Sequence, residues 1–155
     1  KDFMIWIIIL LTIILIVYLL NKYVFNKKEK VEKKIIKKII PAHITALKEL
    51  NHIQQKELWQ SGKIKQYHSG ISEILRKYME HRFQFIALEL TTDEILSYLK
   101  KTISIEEHLE LKQILQRADL AKFAKSKPNE EENKQSMELA KRFVDKTKKS
   151  EKINE

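Results

Sequence analysis

Residues 63–82 read KIKQYHSGISEILRKYMEHR, and their apolar positions decide the fold class. Ile64, Tyr67, Ile71, Ile74 and Tyr78 recur at intervals of three, four, three and four, the seam of a helix lying between two antiparallel neighbours. Gly70 inside that helix costs ~1 kcal/mol relative to alanine, so its presence points to close approach of a neighbouring helix. Upstream, residues 41–59 place Ile44, Leu47, Leu50, Ile53, Leu58 and Trp59 over a wide helical arc, with Pro41 at the start and Gly62 as the expected stop. Downstream, Phe83, Phe85, Ile86, Leu88 and Leu90 form an apolar connector expected to pack down.

Thr91-Thr92-Asp93-Glu94 then has the form of a capping box. Thr91 can accept from the Glu94 backbone N–H, and the Glu94 carboxylate can return the bond. Ser104 to Glu107 repeats the pattern, and Asn129 with Glu132 opens a last helix bearing Met137, Ala140, Phe143 and Val144. Between them, Leu111, Ile114, Leu115 and Ala118 share one face, while Leu120, Phe123 and Ala124 fall nearly opposite. That helix is therefore expected either to be buried on both sides or to break near Asp119. The reading is all-α: a small cytoplasmic bundle of about five helices over residues 41–148, followed by a frayed charged tail at 149–155.

The N-terminal part differs. Residues 3–20, FMIWIIILLTIILIVYLL, carry no charge, and Thr12 is their one clearly polar side chain. Eighteen residues at ~1.5 Å each span roughly 27 Å, close to the ~30 Å hydrocarbon core. Trp6 at one end and Tyr18 and Tyr23 at the other suit the interfacial aromatic belts. A cleaved signal peptide fits less well, because the run is long and no small-x-small site follows it. A transmembrane helix is therefore expected at residues 1–25. A basic amphipathic juxtamembrane segment follows at 26–40, with Lys27, Lys28, Lys30, Lys33, Lys34, Lys37 and Lys38. These lysines either lie on the anionic inner leaflet or simply mark topology. Either way the bundle is expected on the cytoplasmic side of the membrane, with the N-terminus outside. Lys rather than Met at position 1 allows the chain to be the tail of a longer product.

Composition excludes several chemistries. Only Gly62 and Gly70 are glycines, too few and too far apart for a Walker loop or a GxGxxG turn. There is no cysteine, hence no disulfide framework, zinc finger or thiol nucleophile. The net charge of +9 is concentrated in residues 1–40, where nine lysines face three acidic residues. The bundle itself is only mildly basic. Of 30 basic residues only Arg76, Arg82, Arg117 and Arg142 are arginine, the side chain preferred for bidentate phosphate and guanine contacts. The histidines at 43, 52, 68, 81 and 108 form no HExxH and no i, i+3 or i+4 pair. No GxSxG surrounds Ser61, Ser69 or Ser72. Nothing here points to a catalytic residue, a metal or a cofactor.

A series of short motifs carries a family resemblance: Leu58-Trp59 with Gly62, Lys65 with Tyr67, Ile74-Leu75-Arg76 with Tyr78, Glu80 and Arg82-Phe83, Thr91 to Glu94, Ala118-Asp119-Leu120 and Lys122 to Lys125. Over residues 41–148 the chain resembles the cytoplasmic tail of BatD-type aerotolerance proteins and the related DUF4381 domain. BatD-type proteins carry large extracytoplasmic β domains before their span, which this sequence lacks. The resemblance implies an adaptor at the bacterial inner membrane, in a complex with a MoxR-type AAA+ ATPase and von Willebrand A-domain membrane proteins, linked to aerotolerance or envelope stress. On physical grounds Trp59, Tyr67, Leu75, Tyr78, Phe83 and Phe123 read as packing residues. Arg76, Glu80, Arg82 and Asp119 read as ion pairs or a partner face. The alternatives are a membrane-tethered basic regulator of nucleic acid, which a joint basic face of the four arginines would favour, and a tethered hydrolase, which a polar cleft of histidines and carboxylates would favour. The expectation is an interaction domain that binds neither nucleic acid nor a small-molecule substrate.

Overall fold

The computed structural model describes Leu15, Tyr18 and residues 40–148. The chain divides into two units, Lys1–Ile40 and Pro41–Glu155, and the fold below is that of the second. Its described residues form five α-helices and no strand: α1 Ala42–Gln55, α2 Ile64–Phe83, α3 Thr92–Leu99, α4 Ile105–Phe123 and α5 Glu130–Thr147.

The transmembrane helix expected ahead of the bundle is not part of this fold. Among the described residues no helix is long and apolar enough to cross a membrane. The longest, α2, carries Lys65, Glu73, Arg76, Lys77, Glu80 and Arg82 along its length, and such a helix fits between a core and water rather than in lipid on all sides. Apart from Leu15 and Tyr18, the span expected at residues 1–25 lies outside the described residues. So do Lys27, Lys28, Lys30, Lys33, Lys34, Lys37 and Lys38 of the basic segment, and the tail at 149–155.

Local signals set most helix ends. Three capping boxes open α3, α4 and α5 at Thr91, Ser104 and Asn129. In each, the N-cap side chain accepts from the third helical N–H and a glutamate returns a bond of 2.8 Å to the N-cap backbone. The first helix ends earlier than expected, at Gln55 rather than near Trp59, because Glu57 turns left-handed at φ 47°. A separate turn over 58–61 follows, and Gly62 at φ 78° closes it. Gly62 N–H bonds the Trp59 carbonyl at 3.1 Å and Lys63 N–H bonds that of Leu58 at 2.8 Å, the paired bonds of a Schellman motif.

Helix α2 is the centre of the unit. It packs against α1, α4 and α5, while α3 lies against α4. Leu50 from α1, Ile71, Leu75 and Met79 from α2, Ile95 and Leu99 from α3, Leu111, Ile114 and Leu115 from α4, and Phe143 and Val144 from α5 are fully buried in one core. The seam of α2 does not serve antiparallel neighbours alone. Tyr67 and His68 bond to Asn133, and Tyr78 and Arg82 bond to Val144 and Thr147. Rising numbers on α2 thus meet rising numbers on α5, so these two helices run parallel. Between α4 and α5 the order reverses: Gln113 meets Gln135, Glu110 meets Arg142 and Glu106 meets Lys146. That pair is antiparallel.

Gly70 marks where α1 crosses α2 closely. A Cβ placed on Gly70 would lie 2.5 Å from the terminal methyl of Ile53. Ile53 is half-buried and its methyl can swing aside at a rotamer cost of about 0.5–1.5 kcal/mol, which offsets the ~1 kcal/mol helix-propensity gain of alanine. Gly70→Ala is expected to change stability little, whereas Gly70→Leu should destabilise by about 1–3 kcal/mol through overpacking. Urea unfolding of the two variants checks this, and a tolerated leucine would show that the crossing is not close.

Candidate functional site

Arg76 organises a polar junction at the surface between α2, the 84–91 connector and α3. Its Nε–H donates to Ser72 Oγ at 3.3 Å, one turn earlier on α2. Nη1 donates to the carbonyl of Ala87 at 3.0 Å and to that of Leu90. Nη2 donates to Thr92 Oγ1 at 3.3 Å, and Thr92 in turn donates its hydroxyl proton to Asp119 Oδ2. One guanidinium therefore ties α2 to the 84–91 connector and to the start of α3, and reaches α4 through a hydroxyl. Burial pulls the Arg76 pKa below its ordinary value, and the nearby Asp119 carboxylate pulls it back up. Glu80 joins in from the next turn, accepting the Leu88 N–H at 3.0 Å.

Beside this clamp lies an open groove of about 500 Å³, lined by Ser69, Glu73 and Arg76 of α2, Leu88 and Leu90 of the connector, and Ala118, Lys122 and Phe123 of α4. A second hollow of about 700 Å³ continues it past Asp93 and Gln116 to Leu120 and Ala124. The two share Thr91, Thr92, Asp119 and Phe123. The walls offer both apolar surface and charge. Leu88 is 44% exposed, Leu120 54% and Phe123 73%, with the Lys122 ammonium 4.9 Å above the Phe123 ring centre.

Phe123 is thus not the packing residue it was expected to be. Neither expectation for its helix holds, because α4 runs unbroken through Asp119 and is buried on one side only. Asp119 has no helix end to cap, since its carboxylate is taken by Thr92 across the α3–α4 contact, and Leu120 and Phe123 are left facing water. The connector also packs down only in part: Ala87 is buried and Phe85 stacks on Tyr98 at 4.2 Å, but Ile86 and Leu88 stay exposed. Trp59 and Phe83 are half-buried at the edge of the core, and Tyr67, Leu75 and Tyr78 are inside it.

The other polar residues form separate clusters. The four arginines make no joint basic face. Arg82 caps the Thr147 carbonyl at the end of α5 and lies over the Phe83 ring. Arg117 binds the Glu132 carbonyl at 3.0 Å and Ser136 Oγ at 2.8 Å. Arg142 binds Glu110 at 3.0 Å. Among the described residues no group of three or more histidines and carboxylates is placed to hold a metal ion.

His68 was not distinguished in the sequence from the other four histidines, yet it is fully buried. Asn133 donates its amide to the Pro128 carbonyl at 3.1 Å, so its oxygen faces His68 Nε2 at 2.8 Å. Nε2 therefore carries the proton, and the buried Nδ1 has no partner among the described residues. The adjacent Tyr67 hydroxyl donates to the Asn133 carbonyl at 3.0 Å, and burial pushes its pKa up to about 12. No composition or spacing signal separates His68 from an exposed histidine. Only its proximity to Tyr67 on the α2 seam hints at burial.

Compared with protein-family models, with curated proteins and with solved structures, the chain matches none.

Two expectations follow from these contacts. Thr91→Ala should cost ~1 kcal/mol through loss of the α3 cap. Thr92→Val keeps the shape but leaves Arg76 and Asp119 each short of a partner, and should cost about 1–3 kcal/mol. Unfolding curves in which Thr92→Val proved the milder variant would overturn the clamp. The second expectation concerns acid. Burial lowers the His68 pKa below the usual 6.5, with Arg117 adding to the shift while the Asn133 bond and Glu132 oppose it. The unfolded chain thus takes up the proton first. Stability from neutral His68 is fully present above about 6.5 and is lost as pH falls from there through the lowered folded value. Unfolding free energy between pH 7 and pH 5 should fall more steeply for the native chain than for His68→Gln. Equal slopes would show that His68 does not titrate in this window.

Proposed function

We propose that the 41–148 bundle is a protein-interaction module, an adaptor whose docking surface is the groove between α2, the 84–91 connector and the second half of α4. The observation that carries this reading is the pairing of exposed apolar side chains, Leu88 and Phe123, with walls already pinned by Arg76, Thr92 and Asp119. A pre-ordered apolar groove loses little entropy when an apolar segment of a partner enters it. Glu73 and Lys122 at its edge are placed to discriminate between partners by charge. The resemblance to BatD-type and DUF4381 proteins supplies the partner class: a MoxR-type AAA+ ATPase or a von Willebrand A-domain protein, in an aerotolerance or envelope-stress complex. The nucleic-acid alternative receives no comparable support, because each arginine is engaged by a protein acceptor.

Arg76 is a poor position for testing docking, since reversing its charge would release the connector. Leu88→Asp changes the groove without touching the clamp. In calorimetric titrations of the full chain with a purified MoxR-type ATPase and with von Willebrand A-domain proteins from the same genome, one of these should bind. Leu88→Asp should weaken that binding by about tenfold or more with helix content unchanged. Unchanged affinity in Leu88→Asp, or no binding by any of these proteins, would remove the reading.

A further inference from the structure

One face of α4 has no counterpart in the bundle. Its core side holds Leu111, Ile114, Leu115, Ala118 and Ala121, all buried. On the opposite side Ile105, Leu109, Lys112, Gln116, Leu120 and Phe123 are all exposed. Their intervals are four, three, four, four and three, the repeat by which one helix lies along another. Ile105 is 82% exposed and Leu109 59%, so the stripe begins and ends in large apolar side chains and is polar in the middle. An isolated exposed leucine is ordinary, but four large apolar residues in one row are not.

We propose that this face binds a second copy of the chain, α4 against α4 in antiparallel alignment about a two-fold axis near its midpoint. The row is complementary to itself when reversed. Ile105 then faces the second copy's Phe123, Leu109 faces Leu120, and Lys112 faces Gln116, so each apolar end meets an apolar end and the polar centre meets itself. Such self-complementarity is the requirement of a two-fold interface. Charge favours the same alignment. Glu106, which also pairs with Lys146 of its own bundle, and Glu107, whose carboxylate closes the Ser104 cap, stand at the start of α4, and Lys122, Lys125 and Lys127 stand at and just beyond its end. Antiparallel pairing brings the acidic end of one copy to the basic end of the other and opposes the two helix dipoles, whereas parallel pairing stacks like on like. The contact ends at Phe123, on the rim of the groove. A single helix pair is small for an interface, so the association is weak and concentration-dependent.

The test uses the full chain and three exposed positions. Sedimentation velocity over a concentration series should show a reversible monomer–dimer equilibrium. Leu109→Glu should weaken the dimer by about tenfold or more, with the circular dichroism spectrum unchanged. The chain has no cysteine of its own, so single cysteines report the register. Gln116→Cys, near the axis, should crosslink to its own copy with a short thiol-to-thiol reagent. Ile105→Cys should not, because the two copies of that position lie roughly 27 Å apart at ~1.5 Å per residue. A monomer at every concentration, a dimer indifferent to Leu109→Glu, or equal crosslinking at 105 and 116 would each overturn the proposal. Leu109 lies outside the groove, so loss of the dimer in Leu109→Glu with partner binding retained separates this surface from the docking reading, and Leu88→Asp tests the converse.

Discussion

The Arg76 guanidinium is the constraint on which the site depends. The chain between α2 and α3 is too short and too irregular to hold itself, and its carbonyls at Ala87 and Leu90 cannot find partners within a helix. Arg76 supplies donors to both and to Thr92. A planar fork of fixed N–H directions can satisfy three elements together, which a lysine ammonium on a flexible stem cannot do with the same geometry. Through Thr92 the clamp extends to Asp119, and the position of α4 relative to α2 follows. The groove exists because this junction holds its two sides apart.

A second set of polar contacts fixes α5. Near the start of the helix, Tyr67 and His68 hold Asn133; near its end, Tyr78 and Arg82 hold the last turn at Val144 and Thr147. Apolar packing alone tolerates sliding of one helix along another. Hydrogen bonds to backbone carbonyls at both ends do not, because a one-turn shift would leave buried groups unpaired. Thr147 also donates its hydroxyl to the Phe143 carbonyl at 2.6 Å, one turn back along the same helix. The surface ion pairs, such as Lys77 with Glu73 and Lys134 with Glu130, are exposed on both partners and contribute far less.

The two sides of α4 explain why the same helix belongs to the core and to the proposed interfaces. Its inner row completes the packing of α2, α3 and α5. Its outer row, ending in Leu120 and Phe123, is left by the fold at the rim of the groove. Stability of the unit therefore does not depend on that outer row, which leaves these positions free to serve a partner.

Much of the secondary structure was determined by sequence alone, because its signals are local. A threonine, serine or asparagine with a glutamate three residues later closes its bonds within one turn, and the three boxes open helices where those residues stand. The periodic core of α2 is legible for the same reason. The end of α1 was not, since the left-handed turn at Glu57 has no glycine or asparagine to announce it. Tertiary structure decided the rest. It ran α2 parallel to α5, turned Arg76 inward onto a connector, buried His68 against a residue 65 positions away, and left Phe123 in water. Each of these depends on what another helix presents at that point, and periodicity records that a residue is apolar or polar without recording which face a neighbour covers.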